Sequence, residues 1–380
     1  MRVVKEKIVA FVFYIMRIFP IKKDKIVVSS YLGQGYGDNG KYIVEQLLKQ
    51  EKHYDIVWLL RDSSNGFPEG VRSVRYLSIR SVYEQATAKV WIDNRRKPDY
   101  VRKRKGQFYL ATWHGGLALK RIEKDAQEAL PSHYIKAAKR DSRMVDLFLS
   151  NSSWLTEKYR QSFWYNGQIA EIGLPREDVF YKVSADSVSR IKTQLGVPEG
   201  KQILLYAPTF RKTMDEASLG VYQIDWKRLL ESCRNRFGGE WIGMVRLHPN
   251  LAAIQDRLAL PSAVRNVSTY PDMQELLLAA DVLITDYSSS MFEYSYTDRP
   301  VFLYTPDLDA YMADRNFYFN LRDLPFPLAE NEEALTHSIQ HFDLDAYHKA
   351  LRYFLRQLGI VPGGDASRRA ADIIRRAIEE

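Results

Sequence analysis

The sequence predicts an α/β protein: two Rossmann-like domains facing a cleft, with helices at the C-terminus. Three observations carry this. Apolar runs such as Ile26-Val27-Val28 and Val282-Leu283-Ile284 show no polar alternation, as strands buried on both faces do. Helical stretches separate the runs, which is the pattern of βαβ units and a parallel sheet. The runs end in polar or glycine-rich clusters, where open α/β sheets bind ligands.

Taken in order, the first strand is expected over 25–30, then a glycine turn at 33–39 and a helix over 41–50. Further strands are expected at 54–60, 89–92, 108–113, 146–150 and 168–172, with a helix at 81–87. A polar helical stretch at 184–201 holds Gly196, Pro198 and Gly200 and marks a domain boundary. The second set of strands is expected at 202–206, 241–246, 282–284 and 301–304. The tail is helical and broken at 359–364. The chain thus divides into an N-terminal segment 1–22, domains 23–185 and 186–345, and helices over 346–380.

The 380 residues are 46% hydrophobic and 27% charged, enough for full cores. A single cysteine, Cys233, excludes an intrachain disulfide and a cysteine-based zinc site. The net charge of +8 favours anionic partners: acidic lipid or a phosphate-rich substrate. No nucleic-acid signature accompanies it, so nucleic acid is not expected. At the N-terminus, Lys5 and Lys7 precede an apolar run over 8–16. The run is too short to span a bilayer and lacks a cleavage site. It either lies in a membrane interface or packs on its own protein.

The chemistry-bearing clusters sit at strand ends. Thr112-Trp113-His114-Gly115-Gly116 ends a strand of the first half. His114 suits proton transfer or anion binding, and the glycines let a ligand approach the backbone. Arg246 and His248 alternate at another strand end and share a face, a plausible phosphate pair. Thr209 offers a hydroxyl and Arg211 or Lys212 a charge; Gly173-Leu174-Pro175-Arg176 closes the first half. Both of these segments also read as ordinary turns. Asp286, Ser288, Ser289 and Ser290 follow the 282–284 run. They either cap a helix or bind phosphate at its amino end. Glu293, one turn after Ser289, either reaches a ribose hydroxyl or is a solvated helix residue. The phosphate-loop, G-x-S-x-G, H-E-x-x-H and dinucleotide motifs are missing, so no cofactor or metal is expected.

Together, these segments resemble the CDP-glycerol glycerophosphotransferase family of bacterial teichoic-acid synthesis. The matching stretches are 33–42, 112–116, 173–178, 207–211, 246–249 and 285–289. The resemblance implies a GT-B-like fold with an acceptor-side N-terminal domain and a nucleotide-donor C-terminal domain. It places donor contacts on Trp113, His114, Gly115, Gly116, Arg176, Pro208, Thr209, Arg246, His248, Ser288 and Ser289, with Glu293 as the acidic position. Two departures stand out: many relatives carry Asp where this chain has Glu293, and Thr-Pro where it has Gly116-Leu117. The implied reaction moves a polyol phosphate, glycerol phosphate foremost, from a CDP-polyol to a hydroxyl acceptor in teichoic-acid or capsular polymer synthesis, releasing CMP. The acceptor is lipid-linked or a glycan. His114 is expected as general base, with His248 facing it across the diphosphate. A cytoplasmic protein, peripheral on the inner face of the membrane, is expected. A sugar transferase of the same fold using a nucleotide sugar, and a non-catalytic membrane scaffold, are the competing readings.

Overall fold

The computed structural model describes residues 2–61, 66–211, 221–247, 260–314 and 316–380, with 2–6 and 313–314 described by backbone alone. The chain forms two compact units: residues 1–116, 122–178 and 359–380, and residues 117–121 with 179–358.

The first unit holds a seven-stranded sheet. Its strands are β1 (Lys22–Ser29), β2 (Asp55–Leu60), β3 (Val71–Arg75), β4 (Ala88–Asp93), β5 (Phe108–Ala111), β6 (Leu147–Ser150) and β7 (Gln168–Glu171). Their spatial order is β3-β2-β1-β4-β5-β6-β7, and neighbours are parallel. The unbroken apolar runs have the predicted cause. Ile26 and Val28 enter one core cluster and Val27 the other, so helices cover both faces. The C-terminal helix Ala366–Glu379 returns to this unit. Its Ala370, Ala371, Ile374 and Ile378 pack beside Ile43, Val44 and Leu47 of the helix Asp38–Leu48. Asp178 caps that C-terminal helix, accepting from the backbone of Ala366 at 3.0 Å and Ser367 at 2.8 Å.

The second unit holds β8 (Lys201–Ala207), β9 (Glu240–Val245), β10 (Val264–Asn266), β11 (Val282–Thr285), β12 (Val301–Tyr304) and β13 (Leu328–Ala329). The order β10-β9-β8-β11-β12-β13, again parallel, is that of a Rossmann sheet. In each sheet the order reverses once, between β1 and β4 and between β8 and β11. Loops leaving the carboxyl ends of those strands surround a natural ligand position.

A charged cluster under the first sheet sets part of its stability. The Lys25 ammonium, wholly buried, donates to Glu84 at 2.6 Å and to Thr87 at 2.9 Å. Glu84 also accepts two bonds from Arg72, both at 2.9 Å. Burial raises the Glu84 pKa, but the bonds from Arg72 and Lys25 outweigh it and hold the group at about 2. Its stabilising contribution is therefore complete above the ordinary 4.5 and is lost as pH falls through about 2. Glu84→Gln is expected to cost about 3–5 kcal/mol in urea denaturation at neutral pH, because it takes the carboxylate from the buried Lys25.

Candidate active site

After β5, Trp113 turns the chain with a left-handed backbone, φ 54°. Tryptophan is strained there, and such strain collects at functional turns. The indole itself faces the core, edge-on to Phe163 at 4.8 Å between centroids. His114 leaves this turn half-buried, its ring 4.2 Å from that indole. His114 Nδ1 lies 3.0 Å from the carbonyl oxygen of Asn94, the residue after β4. A carbonyl only accepts, so Nδ1 carries the proton and Nε2 keeps its lone pair. Burial lowers the His114 pKa most, and Arg95 and Arg176 lower it further. The Asn94 carbonyl and Asp38 oppose them, and the result is about 4. At neutral pH the ring is an uncharged base.

The loops around it are tied by buried polar groups. Asn39, at the start of the helix after β1, donates from Nδ2 to the Trp113 carbonyl at 3.1 Å and accepts from the Arg176 backbone at 3.1 Å. The Arg176 guanidinium pairs with the Asp38 carboxylate, which also accepts from the Tyr31 hydroxyl at 2.9 Å. Burial pushes the Asp38 pKa up, but Arg176 and the hydrogen bonds from Asn39, Asn94 and Tyr31 leave it below its ordinary value. Arg176, predicted to contact donor, is thus engaged by Asp38 within its own unit. Gly115 is half-buried and Gly116 buried. The space above Gly116 is filled: a β-carbon there would collide with the Asn151 amide and the Glu177 carboxylate, which bond each other at 3.0 Å. The Gly116 requirement is therefore this close internal approach, where the sequence suggested room for a ligand.

In the second unit, Asp286 follows β11, buried. It accepts from the Thr209 backbone at 2.9 and 3.1 Å, from the Tyr287 backbone at 2.6 Å and from Arg211 Nη1 at 2.8 Å. Arg211 Nε also reaches Asp307 at 2.6 Å. This corrects one expectation: the Arg211 charge is neutralised by two carboxylates and is not presented to an anion. Pro208 is buried and Thr209 half-buried beside Asp286. Ser288 and Ser289 are half-buried. The Ser288 hydroxyl accepts from the Ser290 hydroxyl at 2.8 Å, at the start of the short helix Ser290–Tyr294. Glu293 is buried and accepts from Gln274 Nε2 at 2.9 Å, so the solvated alternative fails. Arg246, half-buried after β9, donates to the Tyr270 carbonyl at 2.6 Å. His248 and Lys212 lie outside the described residues.

Trp113, His114, Gly115, Gly116 and Arg176 therefore fall in one unit, and Pro208, Thr209, Arg246, Ser288, Ser289 and Glu293 in the other. Asn94 and Asn151 were missed from sequence. The signal was present: Asn151 directly follows the expected strand 146–150 and Asn94 follows 89–92 after the single residue Asp93, strand-end positions like that of His114.

A family profile described as CDP-Glycerol:Poly(glycerophosphate) glycerophosphotransferase matches residues 11–376. The chain belongs to this family. A teichoic acid poly(glycerol phosphate) polymerase of Staphylococcus epidermidis is 32% identical over 374 residues, 95% of this chain and 52% of its own. A teichoic acid glycerol-phosphate transferase of Staphylococcus aureus is 30% identical over 367 residues, 93% of each chain. The family member described here spans about half the length of the S. epidermidis and Bacillus subtilis polymerases it matches. A solved structure of the wall teichoic acid polymerase TagF superposes with a TM-score of 0.85 at 30% identity, covering 98% of this chain and 94% of that one. A histidine-to-asparagine TagF variant soaked with CDPG gives 0.87 at 29% identity, covering 99% and 94%. The GT-B-like class expected from sequence holds.

Within this glycerophosphotransferase-family chain, Gly116→Ala is expected to cost about 1–3 kcal/mol through overpacking against Asn151 and Glu177, read as a lowered Tm.

Proposed function

We propose that this chain transfers glycerol phosphate from CDP-glycerol to a hydroxyl acceptor in teichoic-acid synthesis, releasing CMP. The observation that carries this is the neutral, oriented His114 imidazole at the end of β5, in a chain whose family transfers this group. The acceptor hydroxyl attacks the phosphorus bonded to glycerol. A new phosphodiester P–O bond forms and the bond to CMP breaks. The hydroxyl proton passes to His114 Nε2, and CMP leaves with the bond's electron pair. Positioned proton transfer of this kind contributes about 10²–10⁴-fold. Arg246, His248, Ser288 and Ser289 are the proposed stabilisers of the charge that builds on the diphosphate as CMP departs, with Thr209, Trp113, Gly115 and Glu293 shaping the donor site. Their loss is each expected to remove transition-state stabilisation of about 3 kcal/mol at most.

We read the N-terminal helix Arg2–Ile15 as a contact with an anionic membrane surface, on the cytoplasmic face where a nucleotide donor is at hand. No helix among the described residues is long and apolar enough to cross a membrane. The helix is apolar on two sides. Val9, Val12 and Phe13 pack on the first unit's core, while Ile8, Phe11, Tyr14 and Ile15 are exposed. Exposed Leu77 and Ile79 flank an apolar hollow of about 360 Å³ that Val9 and Val12 also line. Lys22 and Lys23, which open β1, are exposed and suit acidic headgroups.

His114→Gln is expected to lower CMP release from CDP-glycerol at least about 10²-fold with an unchanged melting curve. Because His114 must be neutral to accept a proton, wild-type kcat is expected to hold from neutral pH downward and fall through about pH 4. The double variant Ile8→Glu, Phe11→Glu is expected to lose cosedimentation with anionic vesicles while keeping CMP release in detergent.

A further inference from the structure

Three cations follow β4 in succession, and they meet different fates. Arg96 is buried and paired with Glu123 at 2.8 Å and Asp141 at 3.2 Å. Lys97 is buried and paired with Asp93 at 2.8 Å. Arg95 is exposed, and its guanidinium makes no hydrogen bond or ion pair with any described residue. Its backbone is nevertheless fixed, donating to Asp93 Oδ1 at 3.0 Å. It directly follows Asn94, whose carbonyl orients His114. It also lies in the loop at the reversal between β1 and β4, where such sheets hold ligands.

We propose that Arg95 is the acceptor-recognition residue: its guanidinium binds the phosphodiester next to the hydroxyl that His114 deprotonates. This rests on the transfer reading above and specifies its acceptor, a chain end that already carries a polyol phosphate. A guanidinium fork matches two phosphate oxygens, and an unpaired one has paid no desolvation before the ligand arrives. The neighbouring cations show the contrast: each is already neutralised by protein carboxylates and has nothing to offer an anion. The placement also serves the chemistry. A phosphate held at Arg95 brings the adjacent hydroxyl toward the imidazole. The charge on Arg95 helps keep that imidazole deprotonated, and bound phosphate offsets it, making the ring a stronger base when the acceptor is in place. The other groups acting on His114 are Asp38 and Arg176, which pair with each other, the Asn94 carbonyl, and the Tyr31 ring 5.8 Å away.

The test is calorimetric titration of the full chain with glycerophosphoglycerol and, separately, with CDP-glycerol, for wild type, Arg95→Gln and Arg95→Lys. Arg95→Gln is expected to weaken glycerophosphoglycerol binding about 10–100-fold, the loss of a charge-assisted contact, with Arg95→Lys intermediate. CDP-glycerol affinity is expected to change less than about threefold, and melting curves to coincide. The acidic limb of kcat is expected to move to higher pH in Arg95→Gln, since a cation beside His114 is gone. Unchanged glycerophosphoglycerol binding, no such binding by wild type, a fixed acidic limb, or a loss confined to CDP-glycerol would each overturn the assignment. Glycerophosphoglycerol binding that depends on Arg95 without CMP release from CDP-glycerol would instead overturn the transfer reading alone.

Discussion

The hydrogen bond from His114 Nδ1 to the Asn94 carbonyl is the constraint on which the proposed chemistry depends. It selects one tautomer, and so leaves the lone pair on Nε2. The bond is only as good as the loops that make it. Asn94 accepts from the Tyr31 backbone at 2.8 Å, tying the loop after β4 to the loop after β1. Asn39 holds the Trp113 carbonyl, tying the loop after β5 to the helix Asp38–Leu48. Strained and buried polar loops of this kind persist because several neighbours determine each one.

Both units neutralise their internal charges before presenting anything outward. Arg176 faces Asp38, Arg96 faces Glu123 and Asp141, and Arg211 faces Asp286 and Asp307. A buried ion repays its desolvation only with close partners and further hydrogen bonds, and Arg96 and Arg211 have both. The consequence is functional. Cations inside these clusters orient loops, whereas Arg95 is exposed and, among the described residues, unpaired. A buried arginine read from sequence as an anion contact can instead be a strut, as Arg211 is.

Much of the fold was legible because a parallel sheet covered on both faces writes itself as short apolar runs. Val57-Trp58-Leu59-Leu60 and Val282-Leu283-Ile284 have that form and are β2 and β11. The strands that were missed are edge or minimal ones. β3 reads Val-Arg-Ser-Val-Arg and is partly exposed, β10 spans three residues and β13 two. Their pairing depends on neighbours far along the chain, which local pattern does not carry. The return of the Ala366–Glu379 helix to the first unit was hidden for the same reason: an amphipathic helix states that it needs a partner, not which one. At the site, strand-end position picked out His114, Thr209 and Ser288. It did not tell Arg211 from a ligand contact, because its partner Asp307 lies 96 positions away.

The most direct measurement is the ¹⁵N spectrum of the His114 imidazole, followed over roughly pH 3 to 8 and assigned by loss in His114→Gln. A ring protonated on Nδ1 alone at neutral pH, gaining its second proton only near pH 4, is the predicted result. A ring carrying its neutral-state proton on Nε2, or titrating near the unperturbed value of about 6.5, would contradict it.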